Sequence, residues 1–321
     1  MRKLSKIISY FKDKKVLIIG DIMLDEYIWG DAQRISPEAP IPVVKVQRED
    51  RFIGGAGNVA ANVISLGGKA FLVGVVGKDS KAKELLSALL KQGIKTNLIE
   101  DPNRPTITKV RIIAKNQQIV RVDRESITPL DTKTEEIIIN WIKTYCMKVD
   151  VIIISDYAKG VITPRVAKEI IDIARKLKKP VIIDPKENYQ NYKKATVVTP
   201  NAQEACRALS KSANSSDDLI NIGKQLLDFL KIKALLITCG SEGMILFQSG
   251  GKVTQIPAIA RTVYDVTGAG DTVIAIFSLA IAAGANFDQA ARLANIGGSI
   301  VVGKIGTATV SIEEIKYFIN N

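Results

Sequence analysis

Val151-Ile-Ile-Ile154, then Ser155-Asp-Tyr-Ala-Lys-Gly160, a helical pattern over residues 164–177, and Val181-Ile-Ile183 form the stretch that decides the fold. Four consecutive β-branched apolar residues suit a strand buried on both faces, and such strands belong to parallel sheets covered by helices. A strand, a helix and a second strand in this order make a βαβ unit, whose crossover is right-handed. The same rhythm runs outward in both directions. Val16-Leu-Ile-Ile19 reads as a strand, 58–66 as helix, 70–76 as strand and 80–92 as helix. Further on, 135–147 reads as helix, 195–198 as strand, 217–230 as helix and 234–238 as strand. The expectation is an α/β fold with a mostly parallel central sheet between two helical layers.

Two segments break the rhythm. Residues 27–47 contain Pro37, Pro40 and Pro42 before the alternating run Val43-Val-Lys-Val46. Residues 106–114 alternate, turn at Lys115-Asn116, and continue with Val120 and Val122 alternating against Arg121 and Asp123. Period-two alternation predicts a half-exposed antiparallel sheet. These two pieces, about 24–48 and 105–124, are expected to form a small lid inserted into the α/β core. No repeat or linker divides residues 1–321, so one domain is expected.

Composition narrows the chemistry. The 321 residues are 46% apolar and 24% charged, which excludes disordered and low-complexity classes. There is no histidine, so Ser-His-Asp hydrolysis, HExxH zinc sites and histidine general bases are excluded. Acid–base work must fall to Asp, Glu, Lys, Tyr or Cys. The three cysteines, Cys146, Cys206 and Cys239, are far apart among apolar residues and are expected to be reduced core thiols of a cytoplasmic protein. No run approaches the roughly 20 apolar residues of a membrane span, and no secretion signal is visible. The net charge of +12 fits a lysine-rich solvated surface, steering of an anionic substrate, or nucleic-acid binding. Scattered pairs such as Lys14-Lys15 and Lys178-Lys179, without a nucleic-acid motif, argue against the last.

The strongest local signal is Asp265-Val-Thr-Gly-Ala-Gly-Asp271, which runs into an apolar helical stretch. Small residues at a helix start let the N–H groups of Gly268, Ala269 and Gly270 converge, and the helix dipole adds positive potential. Such an anion hole suits a phosphoryl group gaining charge in transfer. Asp271 at the same helix start either takes a proton from an attacking hydroxyl or caps the helix. No Walker A motif is present, and Gly55-Ala-Gly57-Asn-Val-Ala60 is a weak dinucleotide fingerprint because residues 47–52 are too charged for a buried first strand.

Gly54-Gly-Ala-Gly57-Asn58 through Val73-Gly-Val-Val-Gly77-Lys-Asp79 resembles the first signature of the PfkB/ribokinase family of sugar kinases, and residues 265–271 resemble the second. The resemblance covers nearly the whole chain and implies a ribokinase-like three-layer α/β/α sandwich with a β-sheet lid. Asp21-Ile-Met-Leu-Asp25, residues 34–45, Lys109-Val-Arg111, Asn116-Gln-Gln118, Arg121-Val-Asp123, residues 155–160, Asp184-Pro-Lys186 and Thr199-Pro-Asn201 carry a narrower resemblance. They are similar to the D-glycero-β-D-manno-heptose 7-phosphate kinases, which phosphorylate the C1 hydroxyl in ADP-heptose synthesis for lipopolysaccharide. Many of these are fused to a C-terminal nucleotidyltransferase, so a separate partner is expected for that later step.

The resemblance implies roles. Asp271 would be the base, with Gly268, Ala269 and Gly270 as the anion hole. Asp21, Asp25, Gly54, Gly55 and Asn58 would contact the sugar, with a turn role open for Asp21 and a cap for Asn58. Lys109, Arg111 and Arg121, with Gln118 and Asp123, would hold the sugar's 7-phosphate, unless they form a solvated lid face. Asn201 and Glu204 match an Asn-x-x-Glu motif that organises Mg²⁺ and its waters, or else cap a helix. Lys186 would reach a phosphate, and Asp156 and Lys159 rest on the resemblance alone. Thr238, Gly240, Ser241, Gly243, Asn295 and Gly298 would cover ATP, with a hairpin turn open for Gly243. Asp265 and Thr267 would offer backbone oxygens to a monovalent cation such as K⁺. Lid sheets of this family often pair, which implies a homodimer. Rival readings are another sugar kinase of the family, for ribose, fructose or fructose phosphate, and a non-catalytic sugar or nucleotide sensor.

Overall fold

The computed structural model describes residues 2–115, 117–259, 263–304 and 306–320. Asn116, one of the residues carrying the narrower resemblance, lies outside them. In chain order the elements are α1 (Arg2–Ser9), β1 (Lys15–Gly20), β2 (Ile22–Ile35), β3 (Pro42–Gly55), α2 (Ala56–Ser65), β4 (Lys69–Gly77), α3 (Ser80–Lys91) and β5 (Lys95–Asp101). Then come β6 (Ile107–Ala114), β7 (Gln117–Arg124), α4 (Thr132–Tyr145), β8 (Val151–Ser155), α5 (Pro164–Lys176), β9 (Val181–Asp184), β10 (Val197–Val198) and α6 (Ala202–Ala208). The last are α7 (Ser216–Leu230), β11 (Ala234–Thr238), β12 (Met244–Gln248), β13 (Val253–Ile256), α8 (Ala269–Ala282), α9 (Phe287–Val301) and α10 (Ile312–Asn320).

The central sheet has nine strands in the order β13-β12-β11-β10-β9-β8-β1-β4-β5. It is parallel from β11 to β5, with β12 and β13 antiparallel at one edge. Alternate strand residues feed two cores. Val16, Ile18, Leu72 and Ile153 pack with α2, α8 and α9; Leu17, Ile19, Val73 and Ile154 pack with α4, α5 and α7. Two-sided burial is the reason these strands read as unbroken apolar runs. Burying each such side chain contributes about 1.5–3 kcal/mol. Cys146 is buried as expected, whereas Cys206 and Cys239 are only half-buried.

The lid is a separate four-stranded sheet, β3-β2-β6-β7. It corrects the sequence reading in two ways. The sheet is mixed: β2 pairs with β6 in parallel, and only β2–β3 and β6–β7 are antiparallel. Its first piece is also longer, since β2 begins at Ile22 and β3 runs to Gly55. The charged residues 47–52 are therefore lid strand. Among the described residues, no helix is long and apolar enough to cross a membrane.

Candidate active site

The carboxyl ends of the parallel strands gather the chemistry, as expected where ligands bind open α/β sheets. Asp21 follows β1, Asp156 and Tyr157 follow β8, Asp184 ends β9, Asn201 follows β10 and Thr238 ends β11. Asp271 lies in the first turn of α8, which packs along β8 and β9.

Asp271 is buried, 1% exposed. Tyr157 Oη donates to its Oδ1 at 2.7 Å, and Asn58 Nδ2 donates to its Oδ2 at 2.8 Å. Burial pushes the carboxyl up to about 6, against the lowering effect of these two donors and of Lys186. Asp271 therefore does not cap α8. Gly268 is the cap residue, at φ +78°, and a Cβ there would come within 2.6 Å of Asn58 Nδ2. The helix start can thus approach Asn58 only with glycine. The expected triplet of free amides is partly spent: Ala269 N–H donates to the Val266 carbonyl at 3.2 Å. Among the described residues, the N–H groups of Gly268 and Gly270 have no such backbone partner. They remain available to an anion at the positive helix end.

Beside this point sits a carboxylate cluster with one cation. Lys186 Nζ lies 2.9 Å from Glu204 Oε1 and 5.2 Å from the Tyr157 ring centroid. Asp184 first, then Glu204, holds the Lys186 ammonium well above its ordinary range. Asp184 is buried, and burial pushes its carboxyl up to about 7. Its side chain accepts no hydrogen bond among the described residues, and its Oδ2 lies 3.9 Å from where a Cβ on Gly270 would stand. Asn201 and Glu204 form a reciprocal capping box on α6, with Glu204 Oε2 accepting from Asn201 N–H at 2.8 Å. The cap alternative for this pair is thus realised. Thr238 pairs with Asn201 through a parallel bridge.

Asp21 is the clearest departure from a sugar contact. It is fully buried, and its carboxylate accepts from the N–H groups of Tyr157 (2.8 Å), Lys159 (3.2 Å) and Val161 (3.3 Å). That is the turn role: the carboxylate clamps the loop carrying Tyr157. Asp156 is similarly spent, accepting from the Tyr192 hydroxyl and from Ala158 N–H.

The lid presents one polar face. Asp25, Tyr27, Lys109, Arg111, Arg121 and Asp123 occupy facing register positions on β2, β6 and β7. Arg111 donates to Asp25 Oδ1 at 2.5 Å and lies over the Tyr27 ring. Gly54 faces the other carboxylate oxygen, and a Cβ there would meet Asp25 Oδ2 at 2.1 Å. Gly55 lies against the Asp21 carbonyl. Lys109 pairs with Asp123 and Glu125, Arg121 with Asp123, and Lys159 with Glu125. Arg111, Gln118, Tyr27, Asp265 and Thr267 line one cavity of about 410 Å³. The Asp265 carboxylate itself accepts from the N–H groups of Thr267 and Gly306.

The residues expected over ATP form a third group. Gly240 and Ser241 lie in a short 3₁₀ turn. Gly243, at φ +95°, lies against the Ile256 carbonyl, as the turn alternative requires. Asn295 Nδ2 donates to the Pro257 carbonyl at 2.8 Å, and Gly298 packs on Val273 and Met244. They share one corner of the fold, but Asn295 already has a partner. Tyr157, Asp184 and Glu125 were not singled out from the sequence. The 155–160 and 184–186 motifs contained the first two, but nothing local reveals a hydroxyl reaching Asp271 across 114 residues. Among the described residues, no group of three or more Cys, Asp or Glu side chains is arranged to hold a metal.

Comparison with known proteins agrees with this geometry. The chain is 48% identical to the bifunctional protein HldE of Geobacter sulfurreducens over 93% of this chain and 61% of that one. It is 45% identical to the HldE of Geotalea uraniireducens, over 98% and 64%. The chain thus spans less than two thirds of these relatives. In fold it is similar to Arabidopsis thaliana ribokinase complexed with ribose and ATP, with TM-score 0.77, 20% identity, and 96% and 99% of the two chains covered. It is equally similar to Escherichia coli phosphofructokinase-2 in complex with potassium, with TM-score 0.77, 16% identity, and 96% and 100% covered. The pfkB carbohydrate-kinase profile matches residues 13–315. The match spans nearly the whole chain, and the chain belongs to the pfkB family of carbohydrate kinases.

Proposed function

We propose that residues 1–321 act as one kinase domain that transfers the γ-phosphoryl group of ATP to the C1 hydroxyl of D-glycero-β-D-manno-heptose 7-phosphate, giving the 1,7-bisphosphate for ADP-heptose synthesis in the cytoplasm. The observation that carries this reading is Asp271, buried at the N-terminus of α8 and oriented by Tyr157 and Asn58. Its carboxylate takes the proton of the acceptor hydroxyl as the oxygen attacks phosphorus. The Gly268 and Gly270 amides stabilise charge on the equatorial oxygens, and Lys186 balances the leaving diphosphate. The lid excludes water from the reacting group.

Mg²⁺ fits the residues present. Asp184 is a buried carboxylate without a hydrogen-bond donor beside the anion hole, and Glu204 lies on the same side of Lys186. These two would hold the ion, directly or through its waters. When bound, it neutralises the nucleotide phosphates. The 265–267 segment is the candidate for K⁺, in line with the potassium-bound fold relative.

The sugar assignment rests on the narrower resemblance and on the HldE relatives, which are bifunctional proteins whose length leaves room for a fused second activity. That second activity would then come from another protein or segment. The outer lid face exposes Val46, Ile119, Val120 and Val122, which supports pairing of two copies through the lid. A monomeric mass at micromolar concentration would exclude that pairing.

A second reading has one observation behind it. The lid cations Lys109, Arg111 and Arg121 each already have a carboxylate partner among Asp25, Asp123 and Glu125. That prior pairing favours an unphosphorylated sugar. ADP release against heptose 7-phosphate (both anomers), fructose 6-phosphate, fructose and ribose separates the two. Preference for an unphosphorylated sugar would remove the heptose-phosphate reading and keep the Asp271 chemistry.

A further inference from the structure

A cavity separate from the Asp271 site opens at the amino edge of the central sheet. Its volume is about 860 Å³. Pro180 stands just before β9, Thr196 just before β10 and Lys233 just before β11, so the cavity opens at the strand ends opposite the active site. A strand of four residues such as β9 separates the two edges by about 13 Å.

Six cations line it, Arg175, Lys178, Lys179, Lys194, Lys231 and Lys233, and no acidic residue does. Among the described residues, none of the five lysines is in an ion pair; Arg175 alone has an acidic neighbour, Asp172 at 3.8 Å. The ends of α5 and α7 lie here, and lysines near helix C-termini are ordinarily explained by the dipole. That explanation needs neither a cavity nor three particular placements. Lys178, Lys194 and Lys231 sit at φ +55°, +67° and +54°, in the left-handed region. Glycine would occupy those turns at lower cost, so a long cationic side chain at all three is unexplained by the backbone. Their backbones are tied in place: Lys194 N–H donates to the Leu230 carbonyl at 2.8 Å and Lys233 N–H to the Thr196 carbonyl at 3.0 Å. Gln248 provides an independent sign. It lines the cavity, and among the described residues its Nε2 is a buried donor without a partner. A buried donor left unmade is costly, and turning the amide toward an acceptor oxygen in the cavity would satisfy it.

We propose that this cavity is a second binding site, for a small polyphosphate of nucleotide size. The volume suits such a ligand. Five lysines and Arg175 neutralise its charge, the turned Gln248 amide donates to it, and Phe287 with Ile281 and Pro180 gives an apolar wall for its uncharged part. The site also accounts for the Lys178-Lys179 pair and for part of the net charge of +12 that catalysis leaves unused.

Lysine acetylation of the intact protein, read residue by residue by mass spectrometry, tests it with inorganic tripolyphosphate, ATP, sulfate and a short DNA duplex as probes. Tripolyphosphate and ATP should slow modification of Lys178, Lys194, Lys231 and Lys233 at concentrations where sulfate does not. The double variant Lys194→Gly/Lys231→Gly, which relieves the left-handed positions, should weaken that protection of Lys178 and Lys233 about tenfold or more with unchanged kinase activity. Protection confined to Lys186, or spread equally over remote lysines such as Lys3 and Lys252, would overturn the proposal. So would protection by DNA without protection by tripolyphosphate, which would assign the patch to a nucleic-acid backbone.

Discussion

The Tyr157 hydroxyl donates to Asp271 Oδ1 at 2.7 Å, so the candidate base is held from the end of β8 as well as from α2. Removing the donor tests the link. Tyr157→Phe takes away a bond that lowers the Asp271 carboxyl, so the carboxyl rises further. The base works deprotonated. The acid limb of kcat/KM, expected near 6 in the parent, should move to higher pH, with kcat down about tenfold. A limb that stays in place or moves down would show that Tyr157 does not orient the base.

Asp271→Asn keeps the shape, accepts from only one of its two donors as they stand, and cannot take up a proton. ADP release should fall by a factor of about 10²–10⁴, with nucleotide binding retained. Calorimetric titration of the variant with ATP, beside the rate, separates lost chemistry from lost binding.

Arg111 and Asp25 form a buried pair, with side chains 12% and 4% exposed. Arg111→Ala leaves Asp25 uncompensated and should cost about 3–5 kcal/mol. Denaturant unfolding measures this, and Asp25→Asn in the same background should recover part of it. Arg121 is half-exposed, so Arg121→Ala should change stability by less than about 1 kcal/mol. If the lid holds a substrate phosphate, Arg121→Ala should still raise KM for heptose 7-phosphate, and not for the unphosphorylated sugar.

Asp21 gives a pH signature in stability. Its carboxyl is raised from 3.8 to about 6, mainly by burial and then by Asp156. A raised folded value favours the protonated folded form. The contribution is full below 3.8 and is lost as pH rises through about 6. The parent should therefore lose more Tm between pH 5 and pH 8 than Asp21→Asn does. Above about pH 6, where Asp21 is ionised, Asp21→Asn should still lack one acceptor, because an amide cannot accept from three N–H groups as a carboxylate does.

The central sheet was legible because two-sided burial writes itself into runs such as Val16–Ile19 and Val151–Ile154. The lid was legible as alternation, but not in its pairing. Whether β6 runs with or against β2 depends on the path between residues 35 and 107, which local periodicity does not record. The glycine-rich start of α8 was legible as Gly268-Ala-Gly270, yet the bond from Ala269 to Val266 depends on how the preceding turn folds. Asp21 was visible as an acid after β1. Its partners come from residues 157–161, and only the folded sheet brings them to it.

The unbroken course of β2 and β3 has a mechanical consequence. No loop separates β3 from the core: β3 ends at Gly55, and α2 starts at the next residue, Ala56, two positions before Asn58, which reaches Asp271 at α8. The lid is thus the long arm of a lever whose short arm ends at Asp271. On the proposed function, a swing of the lid over the sugar would also pull on the amide that aims this carboxylate. The proposed base would in this way be geared to occupancy of the cleft.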